Sequence, residues 1–135
     1  HALFYALQNL ANLSAAHGAL LYVMSGSDHE VYANTTFFNL DNPAFAWAAL
    51  GLVLVGELAI AFFGMKGAEA FHSAKQAGVI AAGLALLVWF GFFMTFGAAF
   101  FQMWQTQVGT GSMEGAFMYA MASAVTMLFV CLTDD

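Results

Sequence analysis

Three stretches of this chain stay apolar for about twenty residues, and only one charged side chain lies deep inside any of them. A helix that spans a bilayer needs about 20 predominantly apolar residues. Ala44–Met65, Ala77–Phe101 and Glu114–Leu132 meet that length, and only Glu57 interrupts the first. The charge balance agrees. Of 135 residues, 62% are hydrophobic and 7% charged, whereas a soluble domain carries about 25% charged residues. So few ionic groups could not cover a globular surface, and the chain reads as an integral membrane protein.

A fourth apolar run, about residues 1–10, is short. Its beginning at His1 reads as the outer end of a helix that starts upstream. Polar residues follow at Gln8, Asn9, Asn12 and Ser14. Ala15–Met24 is apolar again but too short to cross, which suits an interfacial or re-entrant helix. The most polar stretch, Ser25–Asn42, ends in Asp41-Asn42-Pro43, a good helix start because Asp or Asn caps and Pro is tolerated at the first helical position. The fold class expected is all-α: a membrane-spanning four-helix bundle in one domain, residues 1–135. Its spans are about 1–10 (partial), 44–65, 77–101 and 114–132, with an interfacial helix at about 15–24. Gln102–Ser112 is expected to be a loop, and the last span ends at Asp134 and Asp135.

Both basic side chains, Lys66 and Lys75, fall between the second and third long runs. Cytoplasmic loops are enriched in Lys and Arg. That connector, which also holds Glu69 and His72, should therefore face the cytoplasm or the mitochondrial matrix. Two lysines, no arginine and a net charge of −6 exclude an electrostatic grip on nucleic acid.

Helices in lipid associate through close approach and polar contacts, which small residues four apart permit. Gly78 with Ala82, Ala81 with Ala85, Gly91 with Thr95, and Ala120 with Ala124 fit this spacing. The third span is expected to pack through its glycine face. Trp89-Phe90-Gly91-Phe92-Phe93 places rings nearly all round that helix, and most of them should meet lipid or a partner protein.

Glu57 is the one ionisable residue deep in a span. At 1.5 Å per residue it lies roughly 20 Å from one end of its helix and roughly 12 Å from the other. A charge there costs at least a few kcal/mol, so the group should be protonated or paired. Ser123 and Thr126 fall near the same depth if the spans run antiparallel, and either hydroxyl could partner it. The preferred reading is an interhelical hydrogen bond that fixes packing. A proton or cofactor contact is the alternative.

The remaining motifs carry less. His1, His17, His29 and His72 offer no mid-membrane pair for a haem. His17, His29, Asp28 and Glu30 lack regular zinc-ligand spacing. Met94, Met103, Met118 and Met121 are better read as flexible fillers than as copper ligands, and Cys131 as a small buried hydrophobe. No nucleophile–base pair or phosphate loop appears.

Phe93-Met94-Thr95 with Gly97, and Met103-Trp104-Gln105-Thr106-Gln107, resemble the end of the third span in a proteobacterial family of small integral membrane proteins, the domain of unknown function 2165 family. That family reads close to GFM-x-x-GGEWF-x-MWQSQ there. Gln8-Asn9-Leu10 resembles the Asn-Asn pair closing its first span, Tyr22-Val23-Met24-Ser25 its short helix, and Gly56-Glu57-Leu58 its Trp-Glu-Leu. The order holds over essentially the whole chain. The family acid falls on Ala99, its Trp on Phe100, and the aspartate after the Asn-Asn pair near Asn12. Losing those acids while keeping Glu57 favours a structural role. The resemblance implies a fold and a membrane, not a reaction.

The function expected is a non-catalytic accessory subunit of a larger energy-transducing complex, respiratory or photosynthetic, in a bacterial or mitochondrial inner membrane. Its partners would be other integral membrane subunits and lipids. No cofactor is expected in the chain itself, with room for bound lipid or quinone at its interfaces. A small transporter or proton-conducting protein using Glu57 is the alternative.

Overall fold

The computed structural model describes residues 1–29, 31–32, 39–69 and 74–132. Glu30, His72, Asp134 and Asp135 lie outside them. The described residues form an all-helical membrane bundle: α1 (Ala2–Ala11), α2 (Leu13–Met24), α3 (Pro43–Glu69), α4 (Ala74–Leu86, continued by a π-helical segment Leu87–Phe100), a 3₁₀ turn (Met103–Gln105) and α5 (Gln107–Leu132). Among the described residues, three helices are long and apolar enough to cross a membrane: Pro43–Ala68, Ala74–Phe100 and Gln107–Leu132. α3 packs against α1, α2 and α4, while α5 packs against α4, the π segment and the 3₁₀ turn.

Local chemistry sets the helix ends. Asn42 Oδ1 accepts from the Ala44 amide at 2.9 Å, with Pro43 in the first helical position. Between α1 and α2 only Asn12 departs from helical geometry, at φ −128° and ψ 40°. Its side-chain amide donates to the Gln8 carbonyl at 2.9 Å, and its own carbonyl accepts from the Ala16 amide at 2.9 Å. Asn12 thus closes one helix and opens the next. An aspartate at this position could not donate that bond.

α5 begins at Gln107, ahead of the Glu114 start read from the sequence, so Gln107–Ser112 is helix and not loop. Thr106 is the cause. Its Oγ1 accepts from the Gly109 amide at 3.1 Å, satisfying one of the free donors of the first turn. The third span also differs from a plain α-helix. From Leu87 its hydrogen bonds skip to the fifth residue back, as in Phe101 N to Phe96 O at 2.9 Å, and Thr95 Oγ1 donates to Phe90 O at 3.2 Å.

The buried residues Ala82, Ala85 and Trp89 recur at i, i+3 and i+7, one face of the helix. Val88 and Trp89 are buried with Ala85, Ala116 and Ala120 in the core. Trp89 therefore packs inside the bundle, not against lipid or a partner, whereas Phe90 stays exposed. Gly78 faces Val130 of α5 and Ala82 is buried, as a packing glycine face requires. Gly91 does not share that face, since a Cβ there would meet only Leu87 of its own helix. Gly56 of α3 is a tighter contact, because a Cβ would stand 2.5 Å from Val88 Cγ2.

The closest approach is at Gly109, whose missing Cβ is where the Met103 carbonyl lies. Gly109→Ala should destabilise the protein by about 1–3 kcal/mol, since overpacking forces backbone to shift. Gly111, two residues on, faces open space. Gly111→Ala should leave the melting temperature in detergent nearly unchanged, and equal losses in both variants would refute the steric account.

Candidate functional site

The site centres on Glu57. α3 extends to Glu69, so the carboxyl lies about 21 Å from Pro43 and about 18 Å from Glu69 along the axis, near the middle of the helix. It is 1% exposed. Its partner is Asn9 of α1: Nδ2 donates to Oε2 at 3.2 Å and to Oε1 at 3.4 Å. Ser123 and Thr126, the partners expected from depth alone, do not meet it. Each hydroxyl bonds back to its own helix, Ser123 to Tyr119 O at 2.7 Å and Thr126 to Ala122 O at 2.8 Å. Such back-bonding satisfies a lone hydroxyl in a helix without a tertiary partner.

Asn9 belongs to a stripe. His1, Tyr5 and Asn9 recur every four residues, so they share one face of α1. The Tyr5 hydroxyl lies 2.7 Å from that of Tyr119 in α5. Around it the rings interlock. Tyr5 meets Trp89 edge-on at 5.6 Å, Trp89 meets Phe93 at 5.6 Å, and His1 meets Tyr119 at 5.3 Å. Edge-to-face pairs add about 0.5–1.5 kcal/mol beyond the area they bury. α1 is therefore held by one carboxyl, one phenol pair and one aromatic knot.

Beside this knot a groove of about 1000 Å³ opens between α3, α4 and α5. Small residues wall it, among them Gly64, Gly67, Gly78 and Ala82. Trp89 and Tyr119 lie at one end and Lys75 at the other.

The family-motif residues after the third span form a second cluster. Gln105 Oε1 accepts from the amides of Val31 at 3.1 Å and Tyr32 at 2.8 Å, and its Nε2 donates to Gln102 Oε1 at 2.7 Å. The Trp104 ring meets Tyr32 edge-on at 5.7 Å. Met103 is buried, with its sulfur where a Cβ on Gly97 would stand. Gln102 takes the left-handed conformation, φ 54°, that reverses the chain here. These residues fasten the preceding loop to the end of the third span. Elsewhere, His17 Nε2 lies 3.1 Å from the Pro43 carbonyl and its ring stacks on Trp47 at 4.3 Å, so this histidine has packing partners. Cys131 is exposed, contrary to the buried placement its apolar run suggests.

The sequence reading missed the Asn9–Glu57 and Tyr5–Tyr119 pairs. The four-residue recurrence of His1, Tyr5 and Asn9 was the available signal. Depth along a span brought in Ser123 and Thr126 because it ignores which face a side chain occupies.

Asn9→Ala should cost about 1–3 kcal/mol by stranding a buried acceptor, whereas the double variant Asn9→Leu with Glu57→Leu should lose less than the single changes summed. Melting in detergent micelles of the full set gives the coupling, and strict additivity would show that the two groups do not interact. At the other cluster, Gln105→Ala should speed hydrogen exchange at the Val31 and Tyr32 amides while leaving amides inside α3 unchanged. Unaltered exchange at both would refute the clamp.

No curated protein and no solved structure matches this chain. A family model does, over residues 1–133, and its description is a predicted small integral membrane protein. With that coverage, and three helices of membrane-spanning length and apolarity, the chain is an integral membrane protein and belongs to the domain of unknown function 2165 family.

Proposed function

We propose that this chain is a non-catalytic accessory subunit of a larger energy-transducing assembly in a bacterial or mitochondrial inner membrane. The observation that carries the reading is the fate of Glu57. The one acid deep in a span is enclosed by the fold and bonded to Asn9, which is how a packing residue is used. The apolar faces support it too. In the most hydrophobic windows of the three spans, 17%, 28% and 11% of residues are buried within the chain. The remaining surface is open to lipid and to other integral subunits.

One observation favours the alternative of a small proton-coupled transporter. The Tyr5 hydroxyl, one turn along α1 from the Asn9 that binds Glu57, pairs with Tyr119, which lines a groove with Ser123 and Thr126. A chain of hydroxyls beside a buried acid is the kind of arrangement that relays protons.

Tagging the chain and purifying it in a mild detergent separates the two readings. Under the subunit reading it co-purifies at fixed stoichiometry with larger membrane proteins, and Glu57→Gln keeps that association. Recovery alone or as a homo-oligomer, with a proton-coupled flux that Glu57→Gln abolishes, would overturn it in favour of the transporter.

A further inference from the structure

Because α5 begins at Gln107, Glu114 is not the first residue of the last span. It sits about 10 Å inside the helix. Contacts fix its depth in the bundle. Tyr119 meets Trp89 at 5.5 Å, and the neighbouring Val88 fills the notch at Gly56. Gly56 is about 20 Å along α3 from Pro43, and Glu114, five residues back from Tyr119 toward that same end, is about 7.5 Å shallower. α3, about 40 Å long, overhangs a hydrocarbon layer about 30 Å thick by about 5 Å at each end. Glu114 therefore stands about 7 Å inside the apolar layer, less deep than Glu57.

Nothing in the fold covers it. Glu114 is exposed, with no hydrogen bond or ion pair among the described residues. Phe117, Met118, Met121 and Val125 follow it at i+3, i+4, i+7 and i+11, and all four are exposed. They form one face of α5 with the acid at its head, turned away from the buried Ala116 and Ala120. α1 meets α5 at Tyr119, about 140° round the axis from Glu114. Neither α1 nor a helical continuation ahead of His1 reaches the acid. Ionisable groups inside a membrane are costly and pair with one another. An unpaired carboxyl ringed by apolar side chains at this depth is half of a contact.

Charge identifies the other half. The chain has two lysines and no arginine. Lys66 lies about 35 Å along α3 from Pro43, about 20 Å deeper than Glu114. A second copy inserted the same way round would bring its lysines to the wrong depth, and a two-fold pair through this face would set acid near acid. Gly111 and Gly115 flank Glu114, and a Cβ on either would meet nothing within 4 Å. Small residues let another helix backbone come close, and a lipid tail offers the carboxyl no donor.

We propose that this face of α5 docks a transmembrane helix of a different protein, one that carries a lysine or arginine at the depth of Glu114. The inference rests on the accessory-subunit reading, and it supplies the docking surface and the partner's chemistry.

Crosslinking in the native membrane tests it with the full chain. A photoreactive residue at Met118 should attach to one protein, in a membrane-spanning peptide with Lys or Arg within a turn of the attachment. The same group at Val55, exposed on α3, should not reach that peptide. Glu114→Gln should lower recovery of the crosslinked partner with the tagged chain about tenfold, the loss of one charge-assisted bond. The melting temperature of the isolated chain in detergent should not change, since its fold does not use Glu114. Glu114→Lys combined with an acid in place of the partner's cation should restore recovery, which neither reversal alone allows. A fixed-stoichiometry complex that Glu114→Gln leaves intact would overturn the docking proposal alone, as would Met118 crosslinks that reach only a second copy or no basic side chain. Recovery of the chain by itself would overturn it together with the subunit reading.

Discussion

A carboxyl and a carboxamide meet between α1 and α3, at Glu57 and Asn9, and the fold leaves the carboxyl almost no exposed surface. In an apolar medium an unmade hydrogen bond is far more costly than a made one is stabilising. This asymmetry gives one contact its authority over the arrangement. Both polar contacts of α1 with the rest of the bundle lie on one face of it. The acid fixes its height against α3, and Tyr5, one turn away, fixes its rotation by bonding Tyr119 of α5. Sliding or turning α1 would strand both groups at once.

The third span follows from the same contacts. Val88 fills the notch left by Gly56, directly beside Glu57 in sequence, and Trp89 packs against Tyr5. Two adjacent bulky side chains thus serve α3 and α1 together. The π winding that begins at Leu87 accompanies this demand and ends at Phe100, ahead of the Met103–Gln105 turn, where Gln105 takes over by holding loop backbone. The family motif after the third span thus fastens loop backbone to the end of that helix.

Much of this architecture was legible in the sequence. The long apolar runs and the Asp41-Asn42-Pro43 start gave α3 its position, because hydrophobic length and capping are local properties. The start of α5 was harder. Gln107 to Ser112 reads as loop by composition, and only the Thr106 cap, bonded to Gly109, makes it helical. The π segment left no sign in composition, since it changes hydrogen-bond register and not residue type. The partner of Glu57 was also hidden. Ser123, Thr126 and Asn9 can all be argued to its depth, and rotation about the helix axis decides among them. The buried place of Trp89 depends on contacts with residues far away in the chain, which ring-counting along one helix cannot supply.

The π winding has a geometric result for the bundle as a whole. A π-helix rises less per residue than an α-helix, so Ala74–Phe100 is shorter than α3, which has the same number of residues. α3 measures about 40 Å, longer than a hydrocarbon layer about 30 Å thick, so it leans or carries its ends into the head-group layers. The shorter third span needs to lean less. Neighbouring rods set at unequal angles across one slab cannot stay in contact along their full length. They touch where the side chains are best matched and diverge away from that point. Here α3 and the third span touch at Gly56 against Val88 and again where Gly67 meets Ala74 and Gly78, so the two can part only beyond Val88, in the stretch wound as π.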